Sequence, residues 1–151
     1  MRGPEVIARN QRMKVNMDRE GLPFNPERNM SYNSRLAQEL ATWADTKGKG
    51  EEIANALFRA YVVDVKNIGK TDVLAQIADE NGLPKDEATD VLLSRKYKET
   101  VDNDWRRCAA IGVNAVPTFL AGKYLMVGAQ PYEELERLVQ HVFKEEDAAQ
   151  G

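Results

Sequence analysis

Cys108 is the side chain in this sequence whose type could act as a redox nucleophile, and the sequence contains no second cysteine. The neighbouring residues Arg106 and Arg107 would favour its thiolate if the sulfur were exposed. However, Cys108 continues an apolar stripe with Trp105 and Ile111, which is typical of the buried face of a helix. We therefore expect a small buried hydrophobe. A single cysteine cannot form a disulfide within the chain, which favours a reducing, cytoplasmic setting.

His141 is the only histidine, so any relay of protons to a serine or a cysteine would have to include it. Its spacing places it beside Glu134, Arg137 and Lys144, on the polar side of the last predicted helix. One cysteine and one histidine also give no basis for a zinc site. We therefore expect His141 on the solvated surface, and neither a metal nor another cofactor.

Gly69-Lys70-Thr71 imitates the end of a phosphate-binding loop, but that pattern also needs a glycine five residues earlier, where Asp64 stands. No strand precedes this segment, and Thr71 is a suitable N-cap for a helix. The adjacent pairs Glu51-Glu52 and Glu133-Glu134 come at predicted helix starts, where the helix dipole favours negative charge. Neither pattern predicts a catalytic site.

A segment near the C-terminus has the pattern of a strand, a tight turn and a second strand. Pro117 opens an apolar run, Gly122-Lys123 turns the chain, and residues 124–127 run back before Gln130-Pro131 begins a helix. Proline donates no backbone N–H, so it belongs at a strand start or on an edge strand. The pattern predicts a β-hairpin with Pro117 at its opening.

This hairpin resembles the cis-proline loop and following hairpin of the DsbA-like thioredoxin-fold oxidoreductases, in particular their cytoplasmic FrnE-type branch. The residues that carry the resemblance are Gly112-Val113, Val116-Pro117-Thr118-Phe119, Gly122-Lys123-Tyr124 and Gly128-Ala129-Gln130-Pro131. It extends upstream through Gly21-Leu22-Pro23-Phe24, residues 32–37, Trp43-Ala44 and residues 56–61, and so covers nearly the whole chain.

The resemblance implies an α/β, thioredoxin-like fold of the DsbA type and a protein or peptide substrate that carries a thiol or a disulfide. It also implies a cis peptide bond before Pro117, and substrate binding by Ala115, Val116, Pro117 and Thr118. The family places a strand, a helix opened by a Cys-X-X-Cys pair and a second strand before this region, and none of the three is found here. We therefore expect no catalytic residue in this chain, and no dithiol redox activity from it alone.

Two alternatives remain open. Glutathione-dependent isomerases of the 2-hydroxychromene-2-carboxylate type and kappa-class transferases share the helical insertion and the Val-Pro strand. They use a serine near the first helix, which would also lie in the part not found here. The second alternative is a non-catalytic binding or assembly module that keeps the insertion helices and the proline loop.

Helical periodicity covers most of the chain outside the hairpin. Helices are predicted over residues 31–46, 51–64, 84–93, 94–111 and 131 to about 144, with a further one capped by Thr71 and stopped by Asn81-Gly82. No internal repeat or flexible linker separates them. We therefore expect a single, incomplete DsbA-like domain over residues 1–151. Residues 31–111 form the helical insertion, and residues 112–144 form the proline loop, the hairpin and the last helix.

Charge and hydropathy exclude two classes of partner. The net charge of −3 gives no general basic field for nucleic acid, and no apolar run approaches the roughly 20 residues that a membrane span needs. The first twenty residues are locally basic, through Arg2, Arg9, Arg12, Lys14 and Arg19. We interpret them as a solvated helix face.

The predicted hairpin is too small to be stable alone, because two short strands need further strands or a packed face. An exposed strand edge is a template for pairing with another chain. We therefore expect a homo-oligomer.

Overall fold

The computed structural model describes the backbone of residues 4–150 and the side chains of residues 5–148. In chain order these residues form α1 (Pro4–Arg19), α2 (Arg35–Asp45), α3 (Gly50–Val62), α4 (Thr71–Glu80), α5 (Lys85–Leu93), α6 (Lys98–Ala110), β1 (Thr118–Ala121), β2 (Tyr124–Val127) and α7 (Tyr132–Gln150). They fall into two compact units. The helical unit ends at Asp102, and the hairpin unit begins at Asn103 within α6.

The core of the helical unit is formed by the apolar stripes of α2, α3, α4 and α5. Its largest fully buried apolar side chains are Trp43, Leu40, Ile53, Leu74 and Leu92. Burying a side chain of this size stabilises the fold by about 1.5–3 kcal/mol relative to leaving it exposed. The shared core therefore holds together helices that are each too short to be stable in isolation.

Helix α1 contains the locally basic segment of the chain. Arg9, Arg12 and Arg19 are exposed, which confirms the predicted solvated face for these residues, whereas Arg2 lies outside the described residues. Asn10 is the buried polar exception on this helix. Its side-chain amide donates to the carbonyl oxygens of Pro26 at 3.2 Å and Arg28 at 2.5 Å, and so fastens α1 to the segment that follows it.

Several helix boundaries differ from the predicted ones. Helix α2 begins at Arg35 and not at Ser31. Thr71 is the first residue of α4, and Lys70 occupies the N-cap position that we assigned to Thr71. Helix α7 continues to Gln150, beyond the predicted end near Lys144, because the added residues are mostly Glu, Ala and Gln, which favour helix. Helix α6 begins at Lys98 and not at Ser94, although the intervening residues include no glycine or proline.

The hairpin unit contains β1, β2 and α7. The strands are antiparallel, with Thr118 opposite Val127 and Ala121 opposite Tyr124, and they form the predicted hairpin around Gly122-Lys123. Gly122 has a φ of 56°, and Val142 of α7 lies 3.1 Å from the place a Cβ would take, so the turn sits close against that helix. Within the described part of the chain the sheet has these two strands, and no side chain from Asn103 to Ala148 is buried.

Candidate functional site

The proline loop lies directly before β1 and contains the four residues predicted to bind substrate. The Val116–Pro117 peptide bond is cis. The Thr118 hydroxyl donates to the carbonyl oxygen of Ala115 at 2.7 Å, and the Gly128 N–H donates to the carbonyl oxygen of Pro117 at 2.8 Å. These two bonds fold the loop onto the start of the hairpin, while the Val116 side chain is 90% exposed.

The backbone groups of β1 alternate between β2 and the outside of the sheet. In a hairpin closed by a two-residue turn, the residues flanking the turn form a hydrogen-bonded pair, and the pairing alternates from there. Ala121, Phe119 and Pro117 therefore face β2, and the bond from Gly128 to Pro117 agrees with this register. Thr118 and Leu120 direct their N–H and C=O groups the other way, and Val116 lies just before them at the start of the strand. We call these three residues the β1 edge.

Val116 offers both of its backbone groups at the β1 edge. Among the described residues neither its N–H nor its C=O has a hydrogen-bond partner. Pro117, which has no N–H to offer, is one of the residues that face β2, so its missing donor leaves no gap in the β1 edge. An extended peptide could therefore add to this edge as a further strand.

Polar contacts attach the hairpin turn to α7. Tyr124 donates its hydroxyl hydrogen to Oε1 of Glu145 at 2.7 Å, and Nζ of Lys123 lies 3.1 Å from Oε2 of the same carboxylate. The Tyr124 hydroxyl, and then Lys123, lower the pKa of Glu145. Sequence reasoning missed Glu145, because a charge near the chain end carries no local sign of a tertiary partner.

Cys108 is exposed, so the prediction that it is buried is wrong. The helical stripe exists, but only its first part meets a core: Val101 is buried, whereas Trp105 is 50% exposed. The stripe continues into the hairpin unit, in which no described side chain is buried, so it stays at the surface there. The chain thus presents one accessible thiol and no dithiol.

His141 lies on the surface, as predicted. Its neighbours differ from the predicted ones, because its Nε2 is 3.7 Å from Oε1 of Glu145 and its ring centre is 5.0 Å from that of Tyr124. Glu134 and Arg137 instead pair with each other at 2.6 Å. His141 therefore borders the contact between the turn and α7.

The described residues contain no group of three or more His, Cys, Asp or Glu side chains that could hold a metal ion. None of the described helices is long and apolar enough to cross a membrane.

Comparisons with known proteins place the fold. The family model of the DSBA-like thioredoxin domain matches residues 4–140. The uncharacterized protein YwbO of Bacillus subtilis is 29% identical over 105 residues, which are 69% of this chain and 52% of that protein. The chain thus spans about half the length of this curated relative.

A solved structure supports the same assignment. The crystal structure of "a putative protein disulfide isomerase" from Nitrosomonas europaea matches with a TM-score of 0.69 and 21% identity, over 95% of this chain and 76% of that one. At this identity the match shows the fold alone. Because the family model covers most of its length, the chain belongs to the DSBA-like thioredoxin domain family, with a thioredoxin-like fold of the DsbA type.

Proposed function

We propose that this chain is the substrate-binding part of a thiol-disulfide oxidoreductase of the DsbA family, of the FrnE type. Its substrate is an extended segment of a protein or peptide that carries a thiol or a disulfide. Ala115, Val116, Pro117 and Thr118 bind that segment. The observation that carries the proposal is the pair of unpartnered backbone groups on Val116, beside an almost fully exposed side chain.

Binding by strand addition fits a protein that accepts many sequences. The main-chain groups of Val116 pair with the main chain of the substrate, which gives affinity with little dependence on side chains. Thr118 supports this geometry, because its hydroxyl bond to Ala115 holds the loop in place and occupies a carbonyl that would otherwise compete for the peptide.

Dithiol exchange itself is not proposed for this chain alone. The reaction requires a thiolate that attacks a disulfide and a second thiol that resolves the mixed disulfide, and the sequence has one cysteine. We propose that a Cys-X-X-Cys segment, with its strands, is supplied from outside this sequence. Insulin reduction by the pure chain tests this. We expect no turnover, and turnover that survives Cys108→Ser would contradict the proposal.

Two substitutions at one position test the binding mode. Val116→Pro removes the N–H donor, whereas Val116→Ala keeps both backbone groups and shortens the side chain. A backbone hydrogen bond contributes about 0.5–1.5 kcal/mol, so Val116→Pro is expected to weaken the binding of a labelled extended peptide by up to about tenfold, as measured by fluorescence polarisation. Val116→Ala is expected to weaken it less. Equal losses in both variants would point to side-chain recognition.

A second candidate function is a non-catalytic assembly module. It is favoured by the open strand edges of the hairpin, together with a hairpin unit that buries no described side chain. We propose that the chain forms homo-oligomers through such an edge. Mass measurement in solution by light scattering tests this, and a monomer at every concentration would contradict it.

We further propose a cytoplasmic location, since an unpaired cysteine suits a reducing compartment. The same proposal treats residues 1–151 as one DsbA-like domain in which residues 31–111 are the helical insertion and residues 112–144 carry the proline loop, the hairpin and the last helix. Proteolysis that leaves either part as a separate stable fragment would argue against a single domain.

A further inference from the structure

Five helices end in the same pair of backbone hydrogen bonds, and one of the five is unusual. At the ends of α1, α2, α4 and α6, two successive N–H groups reach back into the last turn around a glycine with positive φ. These glycines are Gly21, Gly48, Gly82 and Gly112. At the end of α5 the N–H groups of Arg95 and Lys96 bond to the carbonyls of Leu92 at 3.3 Å and Val91 at 3.2 Å. The left-handed position is there occupied by Arg95, with a φ of 54°.

An arginine is a poor choice for this position on local grounds. A residue with a Cβ is strained in the left-handed conformation, which glycine adopts freely. Residues 94–98 contain serine, arginine, lysine and tyrosine, with no glycine or proline. Arginine and lysine favour helix, so the intrinsic propensities of these residues give no reason for a turn here. The break between α5 and α6 must therefore be imposed from elsewhere in the fold.

The contacts of the Arg95 side chain explain why this residue adopts the left-handed conformation. Its Nε lies 2.9 Å from Oε2 of Glu39 and its Nη2 lies 2.6 Å from Oε1, a two-point contact with a carboxylate that is 0% exposed. Nε of Arg35 lies 3.2 Å from Oε1 of the same group. Charge-assisted bonds of this kind are stronger than neutral ones, and a buried carboxylate is costly without them.

The same cluster also holds the start of α6. Nη2 of Arg35 donates to the carbonyl oxygen of Lys98, the first residue of α6, at 3.0 Å. Arg35 also pairs with Asp102 one turn further along. One buried carboxylate on α2 thus contacts Arg95 in the turn that follows α5 and, through Arg35, the residues that begin α6.

We propose that Glu39 acts as a conformational lock. Its carboxylate holds Arg95 in the left-handed conformation and thereby sets where α5 ends and α6 begins. Without that contact, residues 94–97 become helical and join α5 to α6. The device matters because α6 is the helix that leads along the chain to the proline loop. This inference does not depend on the proposed function.

A comparison of two substitutions of Arg95 tests whether the contact with Glu39 sets the break between α5 and α6. Arg95→Ala and Arg95→Gly both remove the contact with Glu39, but alanine favours helix and glycine favours the left-handed turn. The N–H of Tyr97 has no backbone partner among the described residues and would gain one in a continuous helix. We expect its amide hydrogen exchange to slow by at least about tenfold in Arg95→Ala, and to stay unchanged in Arg95→Gly.

Glu39→Gln provides an independent arm, since it keeps the size of the side chain and removes its charge. It should slow exchange at Tyr97 as Arg95→Ala does, and the double variant Glu39→Gln/Arg95→Gly should restore the broken turn. The inference is overturned if Arg95→Ala and Arg95→Gly give the same exchange at Tyr97. In that case the packing of the surrounding helices, and not the Glu39–Arg95 contact, sets the break. That comparison also decides the question if Glu39→Gln does not fold.

Discussion

The helical unit and the hairpin unit differ in what their side chains bury. Residues up to Asp102 contain a continuous apolar core shared by four helices, with a buried and fully paired carboxylate at one side. Residues from Asn103 onward contain two strands and α7, and none of their described side chains is buried. All of the buried side chains among the described residues therefore belong to the helical unit.

This difference follows from the kind of structure in each unit. Helices satisfy their backbone hydrogen bonds internally, so four of them need only bring their apolar faces together. A strand satisfies half of its backbone groups through each neighbour, and a two-stranded sheet leaves both of its edges open. The proposed substrate site lies on such an open edge, so the feature that makes the hairpin unit weak is also the one that suits it to bind a peptide.

The largest predicted effect is on the buried pair of the helical unit. Glu39→Ala removes three charge-assisted hydrogen bonds and the volume of a fully buried side chain, and we expect it to lower the free energy of unfolding by about 3–5 kcal/mol. Urea unfolding measures the loss. Glu27→Ala, at an exposed loop position whose carboxylate has no partner among the described residues, is the control and should change stability by less than about 0.5 kcal/mol. Equal losses of unfolding free energy in both variants would show that the buried carboxylate contributes no more to stability than a surface one.

Truncation of one leucine in each unit compares how much a side chain contributes to stability in the two units. Leu40 is 0% exposed in the helical unit, and Leu120 is 54% exposed in the hairpin unit. Leu40→Ala is expected to lower the free energy of unfolding by about 2–5 kcal/mol, because it leaves a cavity. Leu120→Ala should cost less than about 1 kcal/mol in the same urea titration. A similar cost at both positions would mean that the hairpin unit is covered in solution, as an oligomer would cover it.

Acid should weaken the helical unit through Asp102. Its hydrogen bonds with Lys98 and Arg35 lower its pKa from 3.8 to about 2. The folded state thus favours the ionised form, so this contribution is complete above the unfolded pKa and is lost as the pH falls towards about 2. Urea midpoints of the wild type and Asp102→Asn should differ by a constant amount above about pH 5 and converge near pH 2. A difference that grows on acidification would contradict this.

The smallest effect is expected where the turn meets α7. Glu145→Gln weakens the contacts with Tyr124 and Lys123, so amide exchange at Ala121 and Tyr124 should become faster. Exchange in the core of the helical unit should not change. Glu146→Gln is the matched control, because that carboxylate has no hydrogen bond or ion pair among the described residues. An equal change in amide exchange in both variants would show that any loss of charge on α7 has this effect, and not the loss of the contacts of Glu145 in particular.

Sequence reasoning succeeded where structure is set locally. The hairpin follows from the alternation and turn chemistry around Gly122-Lys123, and the apolar stripes of α2 to α5 follow from helical periodicity. The buried position expected for Cys108 is wrong, because a stripe shows which face could be covered and not whether a covering surface exists. Two separate helices were predicted on either side of Leu93, but the turn around Arg95 that delays the start of α6 to Lys98 was not, since it depends on Glu39, which lies 56 residues earlier in the chain.

Binding of an extended peptide at the β1 edge can be followed by an NMR titration. The ligand is an extended peptide without cysteine, so that any signal reports main-chain pairing and not covalent exchange. We expect the amide resonances of Val116, Thr118 and Leu120 to shift and the Val116 amide to become protected from exchange. The proposed binding mode is contradicted if these resonances stay in place, or if Leu125 and Val127 on the opposite edge of the hairpin shift instead.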